Sequence, residues 1–238
     1  FMYWYADYYG YLIFVIPALI ISLAAQIGVK SAFSRWSRVS CNMTGADAAM
    51  AVLKFHGVTG VAVERVAGEL TDHYDPRSNV IRLSDSVYSS CSVAAVGVAA
   101  HEAGHAVQYA TGYTPIKLRA AIIPVCNISS QLSMPLVLLG IIFSNAFSIG
   151  FGTFLINFGI ILFCAVLLFQ LITLPVEFNA SRRAVATVRD GRLLSDPSQL
   201  KGVKSVLTAA ALTYVAAVIT ALLQLLRLIS LANRNNRR

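Results

Sequence analysis

The chain has 238 residues and an unusual balance of apolar and charged side chains. Hydrophobic residues make up 57% of it and charged residues 13%, whereas roughly a quarter of the residues in an ordinary soluble domain are charged. The mean hydropathy is +0.67. These figures exclude an ordinary soluble globular domain and indicate a membrane protein.

Three long segments, 8–29, 120–176 and 205–226, contain no Asp, Glu, Lys or Arg. A helix needs about 20 apolar residues to cross a bilayer core of about 30 Å. The first and third segments can therefore hold one span each. The middle segment can hold two spans, with a turn at 144–152 where Ser, Asn and Gly interrupt the aliphatic residues.

The predicted fold class is accordingly mainly α, a multi-pass membrane protein with about four membrane helices and a small α+β unit. In chain order we predict a first membrane anchor, a cytosolic unit, a two-span membrane hairpin, a second cytosolic segment and a fourth span. Their predicted bounds are 8–29, 30–119, 120–176, 177–204 and 205–228.

The formal net charge of +8 could indicate nucleic-acid binding, but the basic residues flank the apolar segments, as in the positive-inside pattern. We therefore expect no nucleic acid, and place loops 30–119 and 177–204 in the cytoplasm and the N-terminus outside. The basic residues that carry this prediction are Lys30, Arg35, Arg38, Lys117, Arg119, Arg182, Arg183, Arg189, Arg192, Lys201 and Lys204.

Two features at the ends of the chain bear on this topology. With four spans the tail that carries Arg234, Arg237 and Arg238 lies outside, so either the tail is an exception or 205–231 does not cross. The first segment has no basic residues before it, which favours a retained anchor over a cleaved signal peptide. Aromatic residues near its start are typical of an interfacial belt; they are Tyr3, Trp4, Tyr5, Tyr8, Tyr9 and Tyr11.

The loop 30–119 has the pattern of a small α+β unit. Residues 43–56 predict a helix with Thr44 as N-cap and Asp47 in its first turn. Residues 61–66 and 79–83 alternate like strands, and the polar stretch between them, 70–77, reads as a loop. A second helix is predicted over 93–109, with Ser92 as its cap.

His101, Glu102 and His105 form an H-E-x-x-H motif inside this second helix. Positions i and i+4 project from one helix face, so both imidazoles can bind one metal ion, while Glu102 can act as the base for a water that the metal activates. The alternative is that these are structural residues of an amphipathic helix. The motif predicts a metallopeptidase.

A catalytic zinc usually has three protein ligands. The residues alone leave His73, another carboxylate or Glu177 as the third. Glu177 directly follows the apolar run 120–176, and a carboxylate there is costly unless it has a function. The alternative for Glu177 is an interfacial ion pair with Arg182 or Arg183.

Four stretches together resemble the YugP-like neutral zinc metallopeptidases of bacterial membranes. They are 70–77, 79–84, 99–108 and 174–181. A more distant likeness is to membrane gluzincins of the HtpX type, which pair H-E-x-x-H with a downstream E-x-x-x-D motif.

This resemblance implies a zinc cofactor, His101, His105 and Glu177 as its ligands, Glu102 as the base, and a zincin-like unit in a multi-pass protein of the bacterial plasma membrane. Ser181 stands where the gluzincin motif has Asp. Because a carboxylate that would orient a ligand His is missing there, we expect an aspartate elsewhere to supply it; the candidates are Asp72, Asp75 and Asp85.

The resemblance also gives the strand 79–83 a role. In such peptidases an edge strand ahead of the metal helix pairs with the substrate main chain, and strand addition needs little sequence specificity. The predicted substrate-binding residues are Asn79, Val80, Ile81 and Arg82, with an ordinary edge strand as the alternative. His73 or Tyr74 could donate to the tetrahedral oxyanion, although polar turn chemistry explains them equally.

Three function classes follow. The first is a membrane zinc endopeptidase that cuts membrane-associated or unfolded proteins at the cytoplasmic face. The second is a site-2-type intramembrane protease, which needs its H-E-x-x-H in a membrane helix, whereas the apolar stretch before His101 runs only over 93–100. The third is a non-catalytic metal-binding scaffold. The expected partners are a protein or peptide substrate, the lipid bilayer and, in addition, a second copy or another membrane protein.

Overall fold

The structure, a computed structural model, describes the backbone of residues 2–235 and the side chains of 12–144 and 146–233. The predicted aromatic belt and the tail arginines lie outside the described side chains. The elements, in chain order, are α1 (Met2–Trp36), α2 (Gly45–Phe55), β1 (Ala62–Val66), β2 (His73–Asp75), β3 (Val80–Ser84), α3 (Asp85–Tyr88), α4 (Val93–Ala110), α5 (Thr114–Ala146), α6 (Ile149–Asp190) and α7 (Gln199–Asn235).

Four of the described helices, α1, α5, α6 and α7, are long and apolar enough to cross a membrane. This confirms the predicted class, a mainly α protein with four membrane-capable helices. The break between α5 and α6 falls at 147–148, inside the predicted turn. Helix α4, which carries the H-E-x-x-H motif, is not one of the four.

The chain divides into two compact units. The first, which we call the helical unit, consists of residues up to 24, 118–173 and those from 214 onward. Its helices α5 and α6 approach closely at Gly159, where there is no room for a side chain. A Cβ added there would lie 2.7 Å from the Ser133 carbonyl oxygen. In the same unit the Ser22 and Thr220 hydroxyls, on α1 and α7, lie 3.2 Å apart.

The second unit, which we call the site unit, consists of residues 25–117 and 174–213. It contains α2, α3, α4 and a three-stranded sheet in the order β1-β3-β2. Strand β3 pairs in parallel with β1 and antiparallel with β2. Helix α4 lies in the middle of the core, and its small residues let neighbours approach on most sides; Ala95, Ala99, Ala100, Ala103 and Ala106 are all buried.

Most of the local sequence predictions for the site unit are confirmed. Helix α2 begins after Thr44, whose side chain forms a capping box with Asp47. Helix α4 begins after Ser92, whose hydroxyl accepts from the Ala95 amide. Strands β1 and β3 match the two alternating patterns.

Two predictions about the strands are wrong. The stretch 70–77 is not all loop, since it contains β2. The predicted edge strand is the central strand of the sheet, because β3 has a partner on each side. The main chain of Val80, Ile81 and Arg82 is therefore already paired, and the free edge near the motif helix belongs to β2.

Candidate active site

Helices α4 and α6 bring three potential metal ligands together in the site unit. Nε2 of His101 lies 3.1 Å from Oε2 of Glu177, and Nε2 of His105 lies 3.5 Å from the same oxygen. One ligand atom from each of the three residues lies within 4.8 Å of the other two. Glu177 is only 1% exposed, so its carboxylate is a buried charge that requires a positive partner.

The two helices reach this distance because α4 has no side chain where they meet. A Cβ added at Gly104 would lie 2.8 Å from the carbonyl oxygen of Ala180. Ala180 and Ala184 on α6 are fully buried. The small residues thus place the backbone of α4 directly against that of α6, between the two ligands of α4 and one turn after the ligand of α6.

A neutral side chain holds the other ring nitrogen of each histidine. Nδ1 of His101 lies 3.1 Å from the Ser181 hydroxyl, and Nδ1 of His105 lies 3.0 Å from Oε1 of Gln108. Because the Gln108 oxygen can only accept, Nδ1 of His105 carries the proton. Nε2 of His105 is then left with its lone pair toward Glu177, as a metal ligand requires.

Gln108 is itself fixed by two residues of α6, one on each side of Glu177 in the sequence. It is fully buried, and its Nε2 donates to the Val176 carbonyl at 2.8 Å and to Oδ1 of Asn179 at 3.0 Å. Arg183 donates to the same Asn179 oxygen at 2.8 Å. Every polar atom of the Gln108 amide is satisfied, so the orientation of the His105 ring is determined.

The expectation that an aspartate orients a ligand histidine is wrong for the described residues. Asp72 accepts from the Ser84 amide and hydroxyl, and Asp85 pairs with Arg65. Asp75 accepts from Ser78, and its remaining contacts are with Arg77 and Arg82. The Ser181 hydroxyl makes such a contact instead, with Nδ1 of His101.

Glu102 lies beside the ligands and contacts the sheet. Its Oε2 accepts from the backbone N–H of Tyr74 at 3.0 Å, so the carboxylate is held at the free edge of β2. The negative charge of Glu102 also acts on the neighbouring Asp72, whose pKa is raised by burial first and by that charge in addition, against the lowering effect of its Ser84 hydrogen bonds. The partly exposed Glu102 side chain can still reach a solvent molecule.

His73 and Tyr74 have different surroundings. The exposed His73 donates from Nδ1 to the Thr71 carbonyl at 2.8 Å, so it can donate from Nε2 only as an imidazolium. The Tyr74 hydroxyl donates to Oδ1 of Asn79 at 2.7 Å. His73 is not part of the three-residue group that could hold a metal among the described residues.

Two imidazole nitrogens and one carboxylate oxygen form a typical ligand set for catalytic zinc. Burial by itself lowers the pKa of His105, but the adjacent Glu177 and Glu102 carboxylates and Gln108 outweigh it, so that this pKa is raised. The site therefore favours a positive charge between these side chains. The residues present fit a divalent metal ion.

Gln108 and Asn179 have roles in the site that no sequence motif indicates. The only local signal was the position of Gln108, three residues after His105 and therefore on the same helix face. The partner residue Asn179 lies 71 residues further along the chain, and no spacing rule connects the two.

Comparison with known proteins agrees with this geometry. Residues 11–233 match the family described as "putative neutral zinc metallopeptidase", which indicates zinc as the metal. The chain is 45% identical over 221 residues to a Bacillus subtilis (strain 168) protein named "Putative membrane protease YugP", with 92% of this chain and 95% of that protein covered. No solved structure matches.

Proposed function

This chain belongs to the neutral zinc metallopeptidase family, and we propose that it is an endopeptidase acting at the cytoplasmic face of the cell membrane. The observation that carries the proposal is the grouping of His101, His105 and Glu177 beside Glu102. The proposed substrates are membrane-associated or unfolded proteins.

In this proposal His101, His105 and Glu177 hold the zinc. When bound, zinc lowers the pKa of a water molecule and polarises a carbonyl group. Glu102 takes a proton from the attacking water and later delivers it to the leaving amine nitrogen. Ser181 and Gln108 keep the two imidazole rings in the orientation that ligation requires.

The order of the strands limits where a substrate can pair with the sheet. Because β3 is central and β2 (His73–Asp75) lies at the edge, the proposed partner of the substrate main chain is β2. The N–H of Tyr74 is directed to Glu102, so a peptide strand added to β2 would run beside the base. The oxyanion role of His73 stays a prediction.

Two alternatives receive less support. A site-2-type protease needs its H-E-x-x-H in a membrane helix, and α4 is not one of the membrane-capable helices that the structure describes. A structural zinc site closes all four coordination positions with protein ligands. Here three ligand residues come together with a carboxylate beside them, which favours a catalytic site.

The proposed orientation places the site unit in the cytoplasm. It depends on the basic residues that flank the apolar segments, since such residues are enriched in cytoplasmic loops. Arg35 and Lys117 lie at the two ends of the first loop, and Lys201 lies near the end of the second.

Two measurements test this proposal, the zinc content of purified variants and the identity of proteins that accumulate in membranes. We expect Glu102→Gln to keep zinc and lose hydrolysis, and His105→Ala and Glu177→Ala each to lose zinc, by elemental analysis of the purified proteins. Membrane proteomes of cells with the wild type and with Glu102→Gln should differ in accumulated or trapped substrates. Full zinc in Glu177→Ala, or hydrolysis by Glu102→Gln, would contradict the proposed roles.

A further inference from the structure

A groove of about 560 Å³ lies in the site unit between α6 and α7. Helix α6 contributes residues that recur every three or four positions, and so does α7, so that one face of each helix forms a wall. The lining residues are Phe178, Ser181, Arg182, Val185, Ala186, Arg189, Lys204, Leu207, Thr208, Ala211 and Leu212.

The character of the groove changes along its length. Arg189 lies near the end of α6 and Lys204 near the beginning of α7, so that these cations share one end. Phe178 and Leu212 lie at the other end, where both helices continue into their apolar segments. Arg182 lies between these ends, one helical turn from Phe178 and two turns from Arg189. The groove is therefore cationic from the Arg189 and Lys204 end as far as Arg182 and apolar beyond it.

Arg182 and Lys204 have no ion-pair partner within the described residues, whereas Arg189 does. Arg189 pairs with Asp190, with Nε and Oδ1 2.7 Å apart. Arg182 and Lys204 are exposed, and no lining residue is acidic. The groove thus presents at least two uncompensated positive charges that an anionic ligand can meet.

The apolar end is open at its side. Phe178 is 41% exposed and Leu212 52% exposed, although both are large apolar residues on membrane-capable helices. Such side chains are covered when acyl chains lie against them. A ligand that fits both ends must combine a negative headgroup with an apolar chain.

We infer that this groove binds an anionic phospholipid, with the headgroup phosphate between Lys204 and Arg182 and an acyl chain along Phe178 and Leu212. Basic pockets between membrane helices on the cytoplasmic side bind anionic headgroups in general. This inference does not require the chain to be a peptidase. The second occupant to be tested is a peptide substrate, because Ser181 lines the groove and also contacts the His101 ring.

The experiment measures lipid retention by the purified full chain. Native mass spectrometry after exchange into vesicles of phosphatidylglycerol or phosphatidylcholine should show preferential retention of phosphatidylglycerol. The double variant Arg182→Gln, Lys204→Gln should weaken this retention about tenfold or more, since each basic residue contributes to lipid attraction. Ala186→Phe should weaken retention of both lipids by filling the groove.

The control is the double variant Lys201→Gln, Arg192→Gln. It also removes two positive charges, but from exposed residues that do not line the groove. It should retain phosphatidylglycerol like the wild type. Equal losses in both double variants, or unchanged retention in Ala186→Phe with normal zinc content, would overturn the inference. An increased KM for peptide with unchanged lipid retention would assign the groove to the substrate instead.

Discussion

At the level of single residues, the outer ring nitrogens of the candidate site's histidines contact neutral side chains, and none of the described carboxylates takes that place. The hydroxyl of Ser181 and the amide of Gln108 contact the outer ring nitrogens of His101 and His105. Gln108 accepts from His105 and donates to two oxygens of α6, Val176 O and Asn179 Oδ1. A single buried side chain therefore connects one ligand histidine to the helix that supplies the third ligand.

Gln108→Leu should lower zinc affinity. The leucine removes the acceptor for Nδ1 of His105 and leaves the Val176 carbonyl without its Gln108 donor. Loss of such an outer partner typically costs about 10–100-fold in metal affinity. Competition with a chelator of known affinity measures the effect, with Thr111→Val, directly after the end of α4, as the control. Wild-type affinity in Gln108→Leu would show that the network does not orient the ligand.

The sequence predicted some of these residues better than others. His101, Glu102 and His105 were found because one helix places them together, so their spacing is itself the signal. The prediction of Glu177 depends on its position directly after an apolar run and on the family resemblance. Gln108 and Asn179 act through a contact between α4 and α6. Such a contact between distant residues cannot be predicted from the periodicity of either helix.

Among the helices, the contact of α4 with α6 determines whether the metal ligands meet. Gly104 lies between His101 and His105 along the ligand-bearing face and touches the Ala180 backbone. Gly97, two turns earlier on the same helix, is different. A Cβ added there would lie 3.7 Å from Val203, which is an ordinary van der Waals contact.

Gly104→Ala should therefore abolish or strongly reduce zinc binding, because the added methyl group would force α4 and α6 apart. Gly97→Ala is the matched control. It should keep full zinc content and be up to about 1 kcal/mol more stable, since alanine favours a helix over glycine by that amount. Elemental analysis and thermal unfolding of both variants decide this. Normal zinc content in Gly104→Ala would mean that the helices can adjust without separating the ligands.

In the sheet, the alternation of apolar and polar residues predicts strands but not their order. Alternation predicted β1 and β3 but could not distinguish a central strand from an edge strand, because pairing partners are set by the fold. Strand β2 was missed because it has only three residues, His73 to Asp75, in a polar stretch with a proline nearby. These three residues form the edge next to Glu102.

Tyr74→Pro should impair hydrolysis while zinc binding persists. Proline is tolerated at an edge where the N–H points away from the sheet, and it removes the hydrogen bond from this strand to Glu102. Hydrogen bonds to charged groups contribute about 1.5–3 kcal/mol, so we expect a loss of about tenfold or more in kcat/KM. Tyr74→Ala, which keeps the N–H, is the control and should lose less. Equal losses in both variants would exclude a role for the β2 main chain.

For the whole molecule, the orientation in the membrane decides which compartment holds the substrate. In a variant without its four native cysteines, single reporter cysteines at Glu69 and Ser198 should be shielded from an impermeant thiol reagent in intact cells. One at Phe147, which is 79% exposed, should react. Labelling at Glu69 from outside would invert the proposed topology and place the site on the other side.

The place of the site along α6 limits where a substrate can be cut. Glu177 directly follows the apolar run, and residues 171–176, which are apolar except for Thr173, lie within about 10 Å of it along a helix that rises 1.5 Å per residue. A zinc held by Glu177 would then be near the membrane boundary, where the tails and loops of membrane proteins arrive more readily than folded soluble proteins.

We therefore predict cleavage in cytosolic segments within about 15 residues of a membrane span, a limit set by an extended chain at about 3.3 Å per residue. Terminal proteomics on membranes with the wild type and with Glu102→Gln would locate the cuts, since only the active protein should generate the new termini. Cuts mainly in soluble cytosolic proteins would show that the boundary does not restrict access. Cuts in the middle of hydrophobic spans would instead favour intramembrane cleavage, because an interfacial zinc cannot reach the centre of a bilayer.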